Sequence, residues 1–353
     1  MKRYPNLERL LHDSETIAID RASKVVIFSD LHLGDGGRND EFRHNATLFR
    51  TVLRQHYLGG GFNLVLNGDI EELFKFDLRR IEAAWSDLYL LFLSFQENGF
   101  FRKLYGNHDQ ALLAHTDYPL ASFLAESLLL SFEGKELLLF HGHQASPFLN
   151  EPCSIFSRSL FYLLRYFARP FGLRNYSVSY SNRKRYAIER SVYDFSNRAN
   201  RISIIGHTHR PLFESMSKHD YLIYRLEELC RSYPQAERLL KEAIESDITE
   251  VKAELRNCYR NGSRMSLRSG RYDAIAIPSI FNSGCCIGKR GITAIEIGDG
   301  MIRLVYWTKH GLQKRYPSER LNQPTELART GIYRVVLNED HLDYVFSRIH
   351  LLA

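Results

Sequence analysis

The chain has 353 residues, 44% hydrophobic and 25% charged, with a net charge of +6. That composition suits one large α/β domain with insertions and argues against a fibrous or disordered protein. No apolar run approaches the ~20 residues that span a bilayer. The five cysteines form no CxxC pair, which argues against a disulfide framework or zinc ribbon.

The opening stretch, MKRYPNLERLLHDSE, is polar and charged, with no secretory n-region or h-region. A cytoplasmic protein is the expectation. Five short apolar runs that end in polar residues then read as strands buried on both faces: 24–28, 63–66, 102–105, 136–140 and 201–205. Between them, 81–95 and 111–129 carry helical spacing, and the alternation predicts α/β layers. Three further strand-like runs follow at 275–281, 292–297 and 301–307. The last two are joined through Gly298-Asp299-Gly300, a hairpin signal, so this end is expected to be antiparallel.

Two segments break the rhythm. Residues 146–200 are aromatic and basic, and 217–271 resemble a helical pair interrupted near Pro234. Both read as insertions in a single domain covering 1–353. From Glu151 to Arg201, ten Lys/Arg face three acids, leaving +7 in this stretch. A local positive field suits an anionic substrate, an anionic membrane surface or nucleic acid, and equally a solvated basic face.

The strand ends carry the chemistry. The first leads into Ser29-Asp30-Leu31-His32, where period-two geometry would aim Asp30 and His32 to one side. The second leads into Asn67-Gly68-Asp69 and the third into Gly106-Asn107-His108-Asp109. There Asn107 offers a hard amide oxygen and His108 a proton donor, while Asp109 reads as the N-cap of a helix. The fourth ends in His141-Gly142-His143 and the fifth in Gly206-His207-Thr208-His209. A lone histidine is more often a surface or core residue, the reading given to His12, His44, His56, His115 and His219. Seven ligands at successive strand ends are a different matter: Asp30, His32, Asp69, Asn107, His141, His207 and His209 are too many for one ion and suit two. Oxygen and nitrogen donors without thiolate favour Mn, with Fe and Zn as alternatives. Arg38, in the first loop, is a candidate substrate-phosphate contact.

These motifs, in this order, resemble the signature of the calcineurin-like metallophosphoesterase superfamily over residues 25–210. The resemblance implies a four-layer α/β/β/α sandwich with helical insertions and a two-metal phosphoester hydrolase that activates a water shared by the ions. Asp30, His32 and His209 would hold one metal and Asn107, His141 and His207 the other, with Asp69 bridging and His108 assisting catalysis. Within the superfamily the layout is most similar to UDP-2,3-diacylglucosamine hydrolases, through Phe28-Ser-Asp-Leu-His-Leu-Gly34 and an aromatic, basic insertion where those enzymes carry a lipid-binding cap. That implies a lipid-linked pyrophosphate substrate. A further reading is a peripheral membrane enzyme at the inner membrane surface, with the basic, aromatic insertion on anionic lipid; no obligate protein partner is evident. Those enzymes have Gly-Asn-Arg-Asp where His108 stands, an acid in place of His143, and nothing equivalent to 217–271. A general phosphodiesterase or phosphatase acting on nucleotides or phosphoproteins is therefore the alternative. A nucleic-acid-binding protein with a degenerate core is the non-enzyme alternative.

Overall fold

A computed structural model describes residues 4–146, 182–213, 222, 225–226, 229–230, 233–236, 238–260, 277, 279–309 and 324–353. The chain divides into two compact units, one made of 1–213 with 278–353, the other of 214–277.

The larger unit is built on two mixed sheets. One has the order β1 (Glu15–Ile19), β6 (Ser127–Phe132), β7 (Lys135–Phe140), β8 (Ile202–Ile205), β9 (Ile280–Asn282). The other runs β12 (Thr325–Glu326), β13 (Tyr333–His341), β11 (Met301–Thr308), β10 (Ile292–Gly298), β2 (Val25–Phe28), β3 (Asn63–Asn67), β4 (Phe101–Leu104), β5 (Leu124–Ala125). The central runs β2, β3 and β8 are buried at every position, as their unbroken apolar character requires.

Side-chain alternation sorts those strands into layers. Val26, Phe28, Leu64 and Leu66 share a cluster with α2 (Ala46–Val52) and α3 (Leu78–Leu93), which cover the outer face of the eight-stranded sheet. The apolar face of α3 is Ile81, Trp85, Leu88 and Phe92, at helical spacing, and Asp77 caps it by accepting from the Arg79 amide. On the other sheet, Leu129, Leu138, Phe140 and Ile205 pack with α1 (Pro5–Asp13) and α4 (Asn182–Arg198) through Leu7, Leu10, Ile188, Val192 and Phe195. The intervening residues, Val25, Ile27 and Val65 in one sheet and Leu137, Leu139, Ile202 and Ile204 in the other, are buried outside both clusters. They form the layer between the sheets, which the Asn67 side chain stitches by donating to the Ile204 carbonyl at 3.2 Å. The architecture is α/β/β/α.

Several expectations need correction. The helix read over 111–129 is absent: short 3₁₀ turns at 110–114 and 121–123 flank Asp117-Tyr118-Pro119, and the segment then enters β5 and β6. Proline cannot continue a helix, and Leu128–Leu130 are recruited by pairing with β1 and β7. The strand expected over 275–281 joins β8 in parallel rather than the C-terminal hairpin. The Asp-Gly hairpin itself is present, with Gly298 opposite Met301 and φ of 56° and 71° at Asp299 and Gly300, as a type I′ turn needs. Residues 147–181, including the aromatic cap positions, lie outside the described residues. The helix that follows them, α4, is part of the packed core.

In the smaller unit, α5 (Arg238–Arg260) follows a 3₁₀ turn at Tyr233–Gln235 that contains Pro234. Leu222, Leu229 and Ile244 are buried, and Arg225 meets Asp247 at 3.5 Å. No described helix is long and apolar enough to cross a membrane.

Candidate metal centre

The functional side chains do not sit on the strands but on the loops just beyond β2, β3, β4, β7 and β8. Ser29–His32 lie past the end of β2, so the pleat does not aim Asp30 and His32. Their backbone does: Asp30 (φ 54°), His32 (50°), Asp69 (53°), His207 (64°) and His209 (54°) all adopt the left-handed region. Non-glycine residues seldom do so, and the cost is borne where a site demands it. Parallel-sheet hydrogen bonding continues irregularly into these loops, with the Asp30 amide on Gly68 O at 3.0 Å and the His32 amide on Asp69 O at 3.0 Å.

Glycines permit the close approach. A Cβ on Gly106 would stand 2.1 Å from Asp69 Oδ1, and one on Gly68, itself at φ 84°, would stand 2.4 Å from His141 Nδ1.

Three overlapping groups result, each with ligand atoms within 4.8 Å of one another: Asp30, His32 and His209; His32, Asp69 and His108; Asp69, His141 and His207. Six of the seven expected ligands are thus brought together, and His32 and Asp69 each belong to two groups. The seventh, Asn107, lies in the same loop as His108, and its Oδ1 is buried with no hydrogen-bond partner. Asp30 Oδ1 and His141 Nε2 are likewise buried without one, although His209 Nε2 is 3.0 Å from the first and Asp69 Oδ2 3.0 Å from the second. Close approach without hydrogen-bond alignment is what donor atoms show when they converge on a shared point. A buried polar atom left unpaired is costly, and these three fit a divalent cation of oxygen and nitrogen preference.

The electrostatics agree. Burial raises the pKa of Asp69, but His141, His108 and His32 more than offset it and hold the carboxyl well below its usual range. Burial lowers His141, yet Asp69 and Asp30 carry it up to about 9. A pocket that draws a proton so strongly to His141 will also draw a metal cation. His207 and His143 go the other way, pushed down by burial and by His141, His143 to about 3. Neutral imidazole is the form that ligates metal.

Supporting groups fix the ligands. Glu72, unremarked in the sequence, accepts from His32 Nδ1 through Oε2 at 3.1 Å and from His108 Nδ1 through Oε1 at 2.9 Å. Burial would raise its pKa, but those two hydrogen bonds hold it well below the carboxylate range. An ionised carboxylate only accepts, so both Nδ1 atoms carry hydrogen and His32 presents its Nε2 lone pair. His141 Nδ1 donates to Asn67 O at 2.9 Å with the same consequence. Asp109 caps no helix. Its Oδ1 accepts from the Gly106 amide at 2.6 Å, and its Oδ2 from the Ile70 amide at 2.9 Å and from the buried Lys103 at 2.9 Å. It therefore ties the second loop to the third.

On the far side, Thr208 donates to Glu189 of α4 at 2.9 Å, and Arg210 pairs with the same carboxylate. Glu189 could not have been read as a site residue from its surroundings in the sequence. Arg38 is exposed on the first loop, with no hydrogen bond or ion pair among the described residues.

Among known proteins, no family model and no curated sequence matches the chain. One solved structure that resembles it is a dimetal phosphatase from Danio rerio, 12% identical, covering 81% of this chain and 96% of that one with a TM-score of 0.36. So distant a likeness adds no weight to the geometry.

Proposed function

We propose that this protein is a metal-dependent phosphoester hydrolase. Asp30, His32 and His209 would hold one divalent cation, and Asn107, His141 and His207 a second, with Asp69 shared between them. The observation that carries the reading is the chain of overlapping ligand groups, linked by His32 and Asp69, joined to the orphaned ligand atoms of Asp30, Asn107 and His141. Cations bound there would polarise phosphoryl oxygens and acidify water, with Mn the metal best suited to this donor set.

The chain's own groups supply the rest. His108 is anchored at Nδ1 by Glu72, which leaves Nε2, 4.0 Å from Asp69 Oδ2, facing the pocket. Protonated, it can donate from Nε2 to a leaving oxygen or stabilise charge on the phosphoryl group. The Phe74 ring, 4.4 Å from the imidazole centroid, limits its swing. Asp109 and Glu72 keep the loops at fixed spacing, so little rearrangement is needed at the moment of reaction.

The test is turnover of bis(p-nitrophenyl) phosphate by chelator-stripped protein, before and after Mn²⁺ is added, beside a second tube containing UDP-2,3-diacylglucosamine. Metal-dependent hydrolysis of the diester alone supports the hydrolase and points to nucleotides and other small diesters. Release of UMP would assign the lipid-linked class. No turnover of these or of monoesters with Mn²⁺, Fe²⁺ or Zn²⁺ would overturn the reading.

A further inference from the structure

On α4, one turn from the carboxylate that holds Thr208 and Arg210, stands a cation with no ion pair among the described residues. Arg185 stands in the first turn of α4, and its Nε is buried without a hydrogen-bond partner. Among the described residues its guanidinium has no ion pair. The acid that acts on it, Glu189, is one helical turn away and already engaged by both Arg210 and Thr208. Arg210 adds a second positive charge, and the other neighbour, Cys285, is a thiol with no fixed charge. Burial and Arg210 both push the Arg185 pKa down, and Glu189 and Cys285 only partly counter this. A guanidinium does not deprotonate in proteins, so it remains charged and under-compensated.

Its position gives this surplus a use. Arg210 directly follows His209 and Thr208 lies between His207 and His209; Arg210 and Thr208 are both held by Glu189, one helical turn from Arg185, while the Cys286 amide donates to Asp30 O at 3.1 Å. We infer that Arg185 forms an oxyanion subsite at the edge of the metal-ligand pocket, taking an anionic group of the substrate other than the phosphoryl group attacked. Guanidinium and oxyanion match as a two-pronged pair, and Glu189 prevents Arg210 from competing by holding it. The role in substrate selection rests on the hydrolase reading; the existence of the anion site does not.

Two measurements decide it. In the first, orthophosphate is titrated calorimetrically into the full chain with divalent metal chelated, so that only side chains bind. Arg185→Gln should weaken binding by about 10–100-fold, the range of a charge-assisted hydrogen bond, and Arg185→Lys by less. Melting temperatures establish that the variants are folded. Equal affinity in wild type and Arg185→Gln, or no binding by wild type, overturns the site.

In the second, with Mn²⁺, two p-nitrophenyl esters of thymidine 5′-phosphate are compared, one bearing a 3′-phosphate. Wild type should favour the bisphosphate, and the preference should fall at least about tenfold in Arg185→Gln. An equal loss on both esters would place Arg185 on the scissile group and overturn its role as a second-anion site. Absence of turnover with every metal would sink the hydrolase reading, while the phosphate titration would still judge Arg185.

Discussion

Glu71 and Glu72 are neighbours in the chain, both buried, and they face opposite worlds. Glu71 points away from the histidines into a sealed cluster, where it accepts from Tyr89 at 2.9 Å and Tyr118 at 2.7 Å and meets Lys103 at 2.9 Å. Burial raises its pKa despite that lysine, while Asp109 and Glu71 keep Lys103 protonated against burial. Glu72 faces His32 and His108 and is driven below the ordinary range. The same carboxylate thus serves two ends. Behind the loops it is part of a pin that fixes backbone; in front of them it sets which imidazole nitrogen is free. Asp69, two residues earlier, stands between these regimes.

Breaking Asp69 should have the largest effect. Asp69→Asn keeps the shape but weakens the donor common to two ligand groups. Turnover should fall by more than about 100-fold, the upper range for loss of an outer-shell partner, together with bound Mn²⁺ measured by atomic absorption. Retention of full metal content would show that Asp69 is not shared.

The pin comes next. Lys103→Met leaves Glu71 and Asp109 buried with no counter-charge, at a cost of about 3–5 kcal/mol. Chemical denaturation should show this loss, and activity at 25 °C should fall only insofar as the loops at 68–70 and 106–109 loosen. A variant as stable as wild type would mean that the cluster is hydrated or already protonated.

Glu72→Gln is the milder perturbation of the front. A neutral amide still fits, but it no longer enforces both Nδ1 protons. A loss of about 10–100-fold in metal affinity or turnover is expected. Because part of this acts through His108, the effect should not add to that of His108→Asn, which should itself retain metal. Additive losses in the double variant would separate Glu72 from the proton donor.

The contrast also shows what a sequence makes legible. The ligands could be read because each follows a buried apolar run and because their residue types are rare in that setting. Their aim could not be, since it comes from left-handed backbone at Asp30, His32, Asp69, His207 and His209 rather than from the strand pleat. Lys103 lies in the run Phe-Arg-Lys-Leu, where nothing local marks it as fully buried, because its partners arrive from Glu71 and Asp109. Asp109 looked like a helix cap because Gln-Ala-Leu-Leu follows it, yet tertiary amides and Lys103 outbid that local role. Glu189 is one of three acids in a basic stretch, and only the return of the chain at Thr208–Arg210 gives it meaning. Side chains suited to hold metal carry their chemistry in their type; those that position the loops carry it in their contacts.

His56 extends the comparison to a histidine outside the pocket. His141 is buried beside carboxylates and rises to about 9. His56 packs on Tyr57, Phe62 and Trp307, and burial lowers its pKa more than Glu296, 3.9 Å away and also held by Arg334, can raise it. Its folded pKa therefore lies below its unfolded one. As pH falls through the unfolded value near 6.5, the unfolded chain takes up a proton that the folded protein refuses, so the stability present above that pH is lost toward the lower folded pKa. His56→Phe removes the titration. The melting temperature of the variant relative to wild type should rise between pH 7.5 and 5.5, by no more than about 3 °C. A relative shift of the opposite sign would mean that Glu296 outweighs burial, and that His56 behaves like His141 after all.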